Sequence, residues 1–273
     1  MFLTALLFAL VQGITEFLPV SSSGQLSLLA LVLGDVRKPF LIISSLHAVT
    51  ATAAIVYYRR EYRQAVSGIW KPGGGRHFVW RYAGAQAITL AVAALLWVLM
   101  WLLWPTVAAY LRYDWALGGM MLVNAAILLA APRRDDIPYH GILPTLTWRT
   151  AAWVGLAQGI SVLPGLSRSG LTVAAGLRAG LPPAHASSFC FLLAPPLMLV
   201  FASVFLVGTW PEASAWFSSW QSGVATLVVI LVTFLVALGS LYWTVTWVRA
   251  GRLWWFAPWS GLVGSVTLAT AIW

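Results

Sequence analysis

The stretch Gln12-Gly13-Ile14-Thr15-Glu16-Phe17-Leu18-Pro19-Val20-Ser21-Ser22-Ser23-Gly24-Gln25 interrupts an apolar run that starts at the beginning of the chain. It sets a carboxylate, three consecutive serines, two amides, two glycines and a proline where a membrane helix takes leucine. A single span needs about 20 apolar residues, and the pieces on either side, 2–18 and 25–33, are too short. Non-helical backbone at membrane depth survives only when it is buried in protein or lines a wet cavity. The stretch therefore reads as the tip of a re-entrant helix–loop–helix hairpin, entering and leaving on one side.

The rest of the chain requires a membrane setting. Its 273 residues are 60% hydrophobic and only 8% charged, with a mean hydropathy of +0.85. An ordinary soluble domain is about 25% charged, so a soluble class is excluded. Segments 40–58, 83–104, 116–131, 186–208, 223–248 and 253–272 read as six spans. The broken pair 151–164 and 171–180 reads as a second hairpin. The expected fold is all-α: one polytopic integral membrane domain over 1–273, with six transmembrane helices and two re-entrant hairpins. No basic region precedes the first apolar segment, so no cleavable signal is expected. The lone Cys190 excludes an intramolecular disulfide.

Net charge is +9, but the basic residues serve as topology signals more simply than as a nucleic-acid surface. The six spans and two hairpins put Arg59, Arg60, Arg63, Lys71, Arg76, Arg81, Arg133, Arg134, Arg149, Arg178, Arg249 and Arg252 on one side. Only Arg37, Lys38 and Arg112 fall on the other, and Arg168 lies inside the second hairpin. The positive-inside rule makes the crowded side cytoplasmic and both termini external. The first hairpin then enters from outside and the second from the cytoplasm. Tryptophans near span ends, among them Trp70, Trp80, Trp115 and Trp148, read as an interfacial belt.

Residues 158–171, QGISVLPGLSRSGL, repeat the opening stretch without a gap, at an offset of 146 residues from Gln12 to Gln158. Gly13, Ile14, Ser21, Ser23 and Gly24 recur as Gly159, Ile160, Ser167, Ser169 and Gly170. Because the copies enter from opposite faces, they read as inverted repeats, approximately 1–131 and 132–273. Binding sites of such architectures lie where broken helices of the two repeats meet. The copies differ where chemistry would sit. Glu16 stands against Val162, and Arg168 against Ser22.

An arginine flanked by Ser167, Ser169 and Gly170, with Thr172 following, suits an anion. Guanidinium offers a planar fork of donors matched to phosphate oxygens, and a helix beginning near Ser169 aims its positive end there. Ser21, Ser22 and Ser23 repeat the cradle from the other side. Gln12 and Glu16 share a helix face at i and i+4. Glu16 suits a general base or a cation ligand. One carboxylate is too few for an all-protein cage, so a substrate would have to supply the remaining ligands. His47, set in an apolar run, either lines the cavity beside Thr50 or bonds neighbouring backbone.

The motifs TEFLPVSSSG and PGLSRSGLT, with YYRR after the third apolar segment and SSFCFLLAPP after the second motif, resemble the undecaprenyl-diphosphate phosphatase family of the bacitracin-resistance type over essentially the whole chain. The resemblance implies six spans, two hairpins, inverted repeats and an outward-facing site. It implies removal of the terminal phosphate from a polyprenyl diphosphate, giving the carrier lipid of cell-wall synthesis, with a divalent cation (Mg2+ or Ca2+) as cofactor. It implies catalytic roles for Glu16, Arg168 and Ser22, with Ser22 or a water beside it as nucleophile. Metal binding falls to Glu16 with Gln12. From the residues themselves, the phosphate-binding candidates are Gln12, Ser21, Ser23, Gln25, Ser167, Ser169, Thr172 and, where it lines the cavity, His47. Gln25 departs from the family's usual histidine, and glutamine cannot shuttle a proton at neutral pH. The expected partners are polyprenyl diphosphate and membrane lipids of the inner membrane, with a homodimer left open and no nucleic acid. The alternative is a carrier or flippase of the same fold with weak or no hydrolysis.

Overall fold

The computed structural model describes residues 2–33, 39–70, 74–110, 113–135, 146–208 and 220–272. Arg37, Lys38, Lys71 and Arg112, used in the charge argument, lie outside the described residues.

Both polar stretches break a helix in the same way. Helix α1 (Phe2–Thr15) and α2 (Ser22–Leu33) flank the first break, while α7 (Trp148–Ile160) and α8 (Arg168–Arg178) flank the second. Pro19 and Pro164 sit inside the breaks, where a missing N–H and a fixed φ stop a helix from continuing. Each helix then restarts on a serine cap: Ser21 Oγ accepts the N–H of Gly24 at 3.3 Å, and Ser167 Oγ accepts that of Gly170 at 3.2 Å. The second break also turns on Gly165, at φ +93°, where an added Cβ would lie 2.7 Å from Leu117 O. Gly165→Ala is therefore expected to destabilise the protein by about 2 kcal/mol. Thermal unfolding in detergent checks this, and an unchanged Tm would contradict it.

The remaining elements are α3 (Pro39–Tyr57), α4 (Arg59–Ile69), α5 (Gly74–Tyr110), α6 (Tyr113–Leu129), α9 (Pro183–Gly208), α10 (Trp220–Arg249) and α11 (Ala257–Ile272), with a short 3-10 turn at Leu253–Phe256. Three of them are long and apolar enough to cross a bilayer: Gly75–Leu103, Pro183–Val204 and Gly223–Arg249. With the shorter apolar helices beside them, the protein is an all-helical polytopic membrane protein. Trp70, Trp80, Trp115 and Trp148 are all exposed.

The region 59–81, expected as a loop, is instead helical for most of its length. It holds α4 and the first turns of α5. Arginines and small residues at helical spacing make α4 amphipathic, a surface helix rather than a coil. α4 and the start of α5 approach closely at two glycines, since a Cβ on Gly68 would fall 2.9 Å from Gly75 Cα.

Packing brings the two hairpins to the centre. α1 lies against α10 and α7 against α5, while α3 packs on α9 and α6 on α11. The main core cluster runs through Phe17, Leu128, Phe189, Phe191 and Leu241. Pro195 and Pro196 sit inside α9 and take two N–H donors out of its ladder, freeing carbonyls one turn earlier. Neighbouring helices donate to one of these, Leu192 O, and to the adjacent Leu193 O. Tyr62 and Tyr82 hydroxyls donate to Leu192 O at 2.6 and 3.2 Å. Gln86 and Gln158 amides donate to Leu193 O at 2.8 and 3.2 Å. The broken helix is thus tied to α4, α5 and α7 just before it reaches the cleft described below.

Several basic residues outside the hairpin tips make defined contacts. Arg81 donates to Leu146 O and Arg178 to Ala130 O. Arg133 stacks over Trp254, and Arg252 over Trp247 and Trp255.

Candidate active site

Glu16 is the first residue after α1 and is 5% exposed. An ionised carboxylate at such a position is costly unless its oxygens are met. Both are. Gln12 Nε2 donates to Oε2 at 2.6 Å from one helical turn back, and Ser22 Oγ donates to the same oxygen at 2.9 Å. Arg168 Nη2, from the opposite hairpin, donates to Oε1 in an ion pair. His47 on α3 brings Nε2 to 3.7 Å from Oε2. An acid from one break, a cation from the other and a serine between them therefore form one cluster.

The cluster forms the polar end of a cleft of about 610 Å3, counted out to its open mouth. Glu16, Ser22, Ser23, His47, Ser161, Ser167 and Arg168 supply its polar wall. Val162, Leu166, and Leu197, Met198 and Phe201 of α9 supply its apolar wall. Phe201 packs edge-to-face with the half-exposed Trp97 of α5, the ring centroids being 5.9 Å apart. α2 begins at Ser22 and α8 at Arg168, so two helix N-termini border the cleft. Each carries the positive end of a helix dipole, an arrangement that attracts anions.

The hairpin tips are held together by more than the ion pair. Ser167 and Ser169 hydroxyls lie 3.0 Å apart and donate to Leu18 O at 3.5 and 3.1 Å. Asn124 of α6 is fully buried. Its Oδ1 accepts the Ser167 N–H at 3.1 Å, while its Nδ2 donates to Pro19 O at 3.1 Å and Ser260 Oγ at 3.0 Å. One amide thus serves both breaks and α11. Asn124→Leu strands three buried polar groups and is expected to cost about 3 kcal/mol. A lowered Tm with impaired function checks this, and wild-type behaviour would contradict it.

Of the residues expected from sequence, Glu16, Ser22, Ser23, His47, Ser167 and Arg168 line the cleft. The others surround it. Gln12 is buried behind Glu16. Ser21 caps α2 at φ 65°, a left-handed conformation that is uncommon for a non-glycine residue. Gln25 turns its amide to Val20 O at 3.3 Å. Ser169 is engaged with Leu18 O. Thr172 donates to Arg168 O at 2.7 Å and so fixes the backbone beneath the arginine. Ser161 and Asn124 were not singled out from sequence. Ser161 stands opposite Thr15 in the repeat, and Asn124 is a lone amide in an apolar run. An intramembrane polar residue is itself the signal for such a position.

For a divalent cation, the donor set is sparse but suitable. Among the described residues no group of three or more His, Cys, Asp and Glu converges. Gln12 Oε1, however, is buried without a hydrogen-bond partner beside the Glu16 carboxylate. One carboxylate and one amide oxygen fit a cation that takes most of its ligands from phosphate and water.

Residues 5–266 match the family model described as bacitracin resistance protein BacA. A protein of Desulfatibacillum aliphaticivorans named undecaprenyl-diphosphatase is 32% identical over 282 residues, covering 97% of each chain. One of the same name from Desulfosudis oleivorans is 32% identical, covering 95% of this chain and 94% of its own. Another from Mycobacterium tuberculosis is 30% identical, covering 97% and 96%. The chain belongs to the bacitracin resistance protein BacA family.

Proposed function

We propose that the protein is a membrane phosphatase that hydrolyses undecaprenyl diphosphate to the monophosphate and inorganic phosphate, returning the carrier lipid to cell-wall synthesis. The observation that carries this reading is the meeting of Glu16, Ser22 and Arg168 at the polar end of a cleft whose far wall is apolar. A diphosphate fits the first part, and a prenyl chain passing Leu197, Met198 and Phe201 fits the second. The name carried by full-length relatives supports the same chemistry.

In this reading Arg168 and the N–H groups at the starts of α2 and α8 hold the terminal phosphate. Fixed donors of this kind stabilise the charge that spreads over a transferring phosphoryl group. Ser22 Oγ, already donating to Glu16 Oε2, is the nucleophile, and Glu16 takes its proton. Ser23 and Ser167 border the phosphate, and Gln12 orients Glu16. A divalent cation held by Glu16 and Gln12 Oε1 would supply charge neutralisation at the diphosphate oxygens. Ser22→Ala is expected to lower kcat by about 100-fold or more and to remove any acid-stable phosphoserine trapped from the wild type. Wild-type turnover by Ser22→Ala would return the attack to water.

We also propose that residues 1–131 and 132–273 are inverted repeats. The exchanged packing of α1 on α10 and α7 on α5 supports this, as does the reciprocal approach of Gly118 and Gly264, where a Cβ added to either would lie 2.9 Å from the other's carbonyl oxygen. The arginine-rich segments around 59–81, 133–149 and 249–252 would face the cytoplasm and the cleft the outside.

Release of inorganic phosphate from undecaprenyl diphosphate and Mg2+ by the purified protein tests the reading. Release that disappears in Glu16→Ala is the expected result. No release above that variant, with lipid transport intact in vesicles, would replace the phosphatase with a carrier.

A further inference from the structure

We propose that the turn joining α10 to α11 binds an anionic glycerophospholipid, with its phosphate on Arg252 and Arg133 and an acyl chain along the outer face of α11. The inference goes beyond the phosphatase reading and does not rest on it. The site begins with the way α10 ends. Gly251 takes φ +69°. Its N–H donates to Val248 O at 2.9 Å, and the Arg252 N–H donates to Trp247 O at 3.0 Å. These two bonds form a Schellman cap, which sets the residue after the glycine back against the last turn of the helix. Here that residue is charged. Arg252 Cζ lies 5.7 Å from the Trp247 ring centroid and 5.6 Å from that of Trp255. The two rings are 5.0 Å apart, at 74° to one another. Trp254 adjoins Trp255 at 5.7 Å and carries the second guanidinium, Arg133, at 4.8 Å. Two arginines are thus fixed on one run of three touching indoles.

That arrangement has a chemical use. Stacking on a ring engages the face of a guanidinium and leaves its N–H edge available. Both arginines are exposed. Among the described residues, neither guanidinium makes a hydrogen bond or an ion pair. Two cations are therefore held in place with their donors unspent, and the planar fork of each matches phosphate oxygens. Tryptophans that serve only as an interfacial belt need to sit at a span end. They need not touch in series or hold arginines.

The apolar half of the site continues from the charged half. Trp255, Trp259, Leu262 and Val266 are all exposed. From Trp259 onward they follow the spacing of one helix face, which runs about 10 Å along α11 away from the turn. The order along the surface is cation, indole, aliphatic. A phospholipid presents its groups in the matching order, phosphate, glycerol backbone, acyl chain. Two cations without a protein anion select a headgroup of net negative charge over a zwitterionic one.

The test titrates the purified protein in detergent with phosphatidylglycerol, phosphatidylcholine or inorganic phosphate. Retained lipid is read by native mass spectrometry and stability by the thermal midpoint. Phosphatidylglycerol is expected to be retained and to raise Tm by about 5 °C at saturation. Phosphatidylcholine is expected to bind about tenfold more weakly, and inorganic phosphate to give no shift. Arg252→Gln and Arg133→Gln are each expected to weaken phosphatidylglycerol binding about tenfold. Arg149→Gln, which removes an exposed arginine of α7, should stay within about twofold of wild type. Equal retention of the two lipids, or an equal loss in Arg149→Gln, would overturn the proposal. So would a lower lipid-free midpoint in Arg252→Gln with wild-type lipid affinity, because Arg252 would then only brace the turn. A wild type that released no phosphate from undecaprenyl diphosphate would remove the phosphatase reading and leave this site standing.

Discussion

Glu16→Gln is expected to lower phosphate release from undecaprenyl diphosphate by about 10^3-fold, more than any other change of a single atom type in the cleft. The substitution keeps size and shape but removes charge. Glu16 is the point where Gln12, Ser22, Arg168 and His47 converge. Without the carboxylate, Ser22 loses its base, Arg168 loses its counter-charge and any cation loses its one anionic protein ligand. The loss belongs in kcat, since the base acts on the reacting proton. Steady-state release across substrate concentration checks this. A variant that kept kcat and changed only KM would make Glu16 a binding group.

Arg168→Ala is expected to be nearly as severe, for two separable reasons. It removes the fixed cation at the start of α8, a loss of about 10^2–10^3 in kcat for a donor aimed at developing charge. It also leaves Glu16 buried with an unpaired charge, which costs about 3–5 kcal/mol of stability. The thermal midpoint in detergent should fall with the activity. Arg168→Lys separates the two effects. Lysine restores a positive charge but lacks the planar fork, so stability should recover more than turnover. Equal recovery of both would argue that the arginine serves only as a charge.

Much of this site is legible in the sequence because its local causes are local. A proline, capping serines and a glycine in an apolar run break a helix wherever they fall, so both hairpins follow from 12–25 and 158–171. Glu16 against Val162 and Ser22 against Arg168 single out the side chains that meet across the two breaks. What does not follow from one sequence is which polar groups face the cleft and which brace it. Gln12 and Gln158 occupy matching positions, yet the first orients Glu16 and the second bonds Leu193 O next to the α9 prolines. That difference depends on helices far away in the chain. Asn124 is equally long-range, bonding groups at Pro19, Ser167 and Ser260. Gln25 departs from a familiar histidine in the motif, but its role depends on a side-chain direction that spacing does not give. The loop reading of 59–81 gives way because arginine-rich, weakly apolar sequence is equally compatible with an interfacial helix, and the Gly68–Gly75 contact lets α4 fold back on α5.

The central claim is that the two hairpins share one catalytic centre, with Glu16 and Arg168 acting as a unit. Its most direct test is a double-mutant cycle on kcat/KM for undecaprenyl diphosphate with Glu16→Gln, Arg168→Ala and the double variant. Groups that act together lose function once, so the double variant should lie within about tenfold of the worse single variant. Independent groups would multiply their losses, with log effects adding as they do for distant sites, and that result would contradict a shared centre.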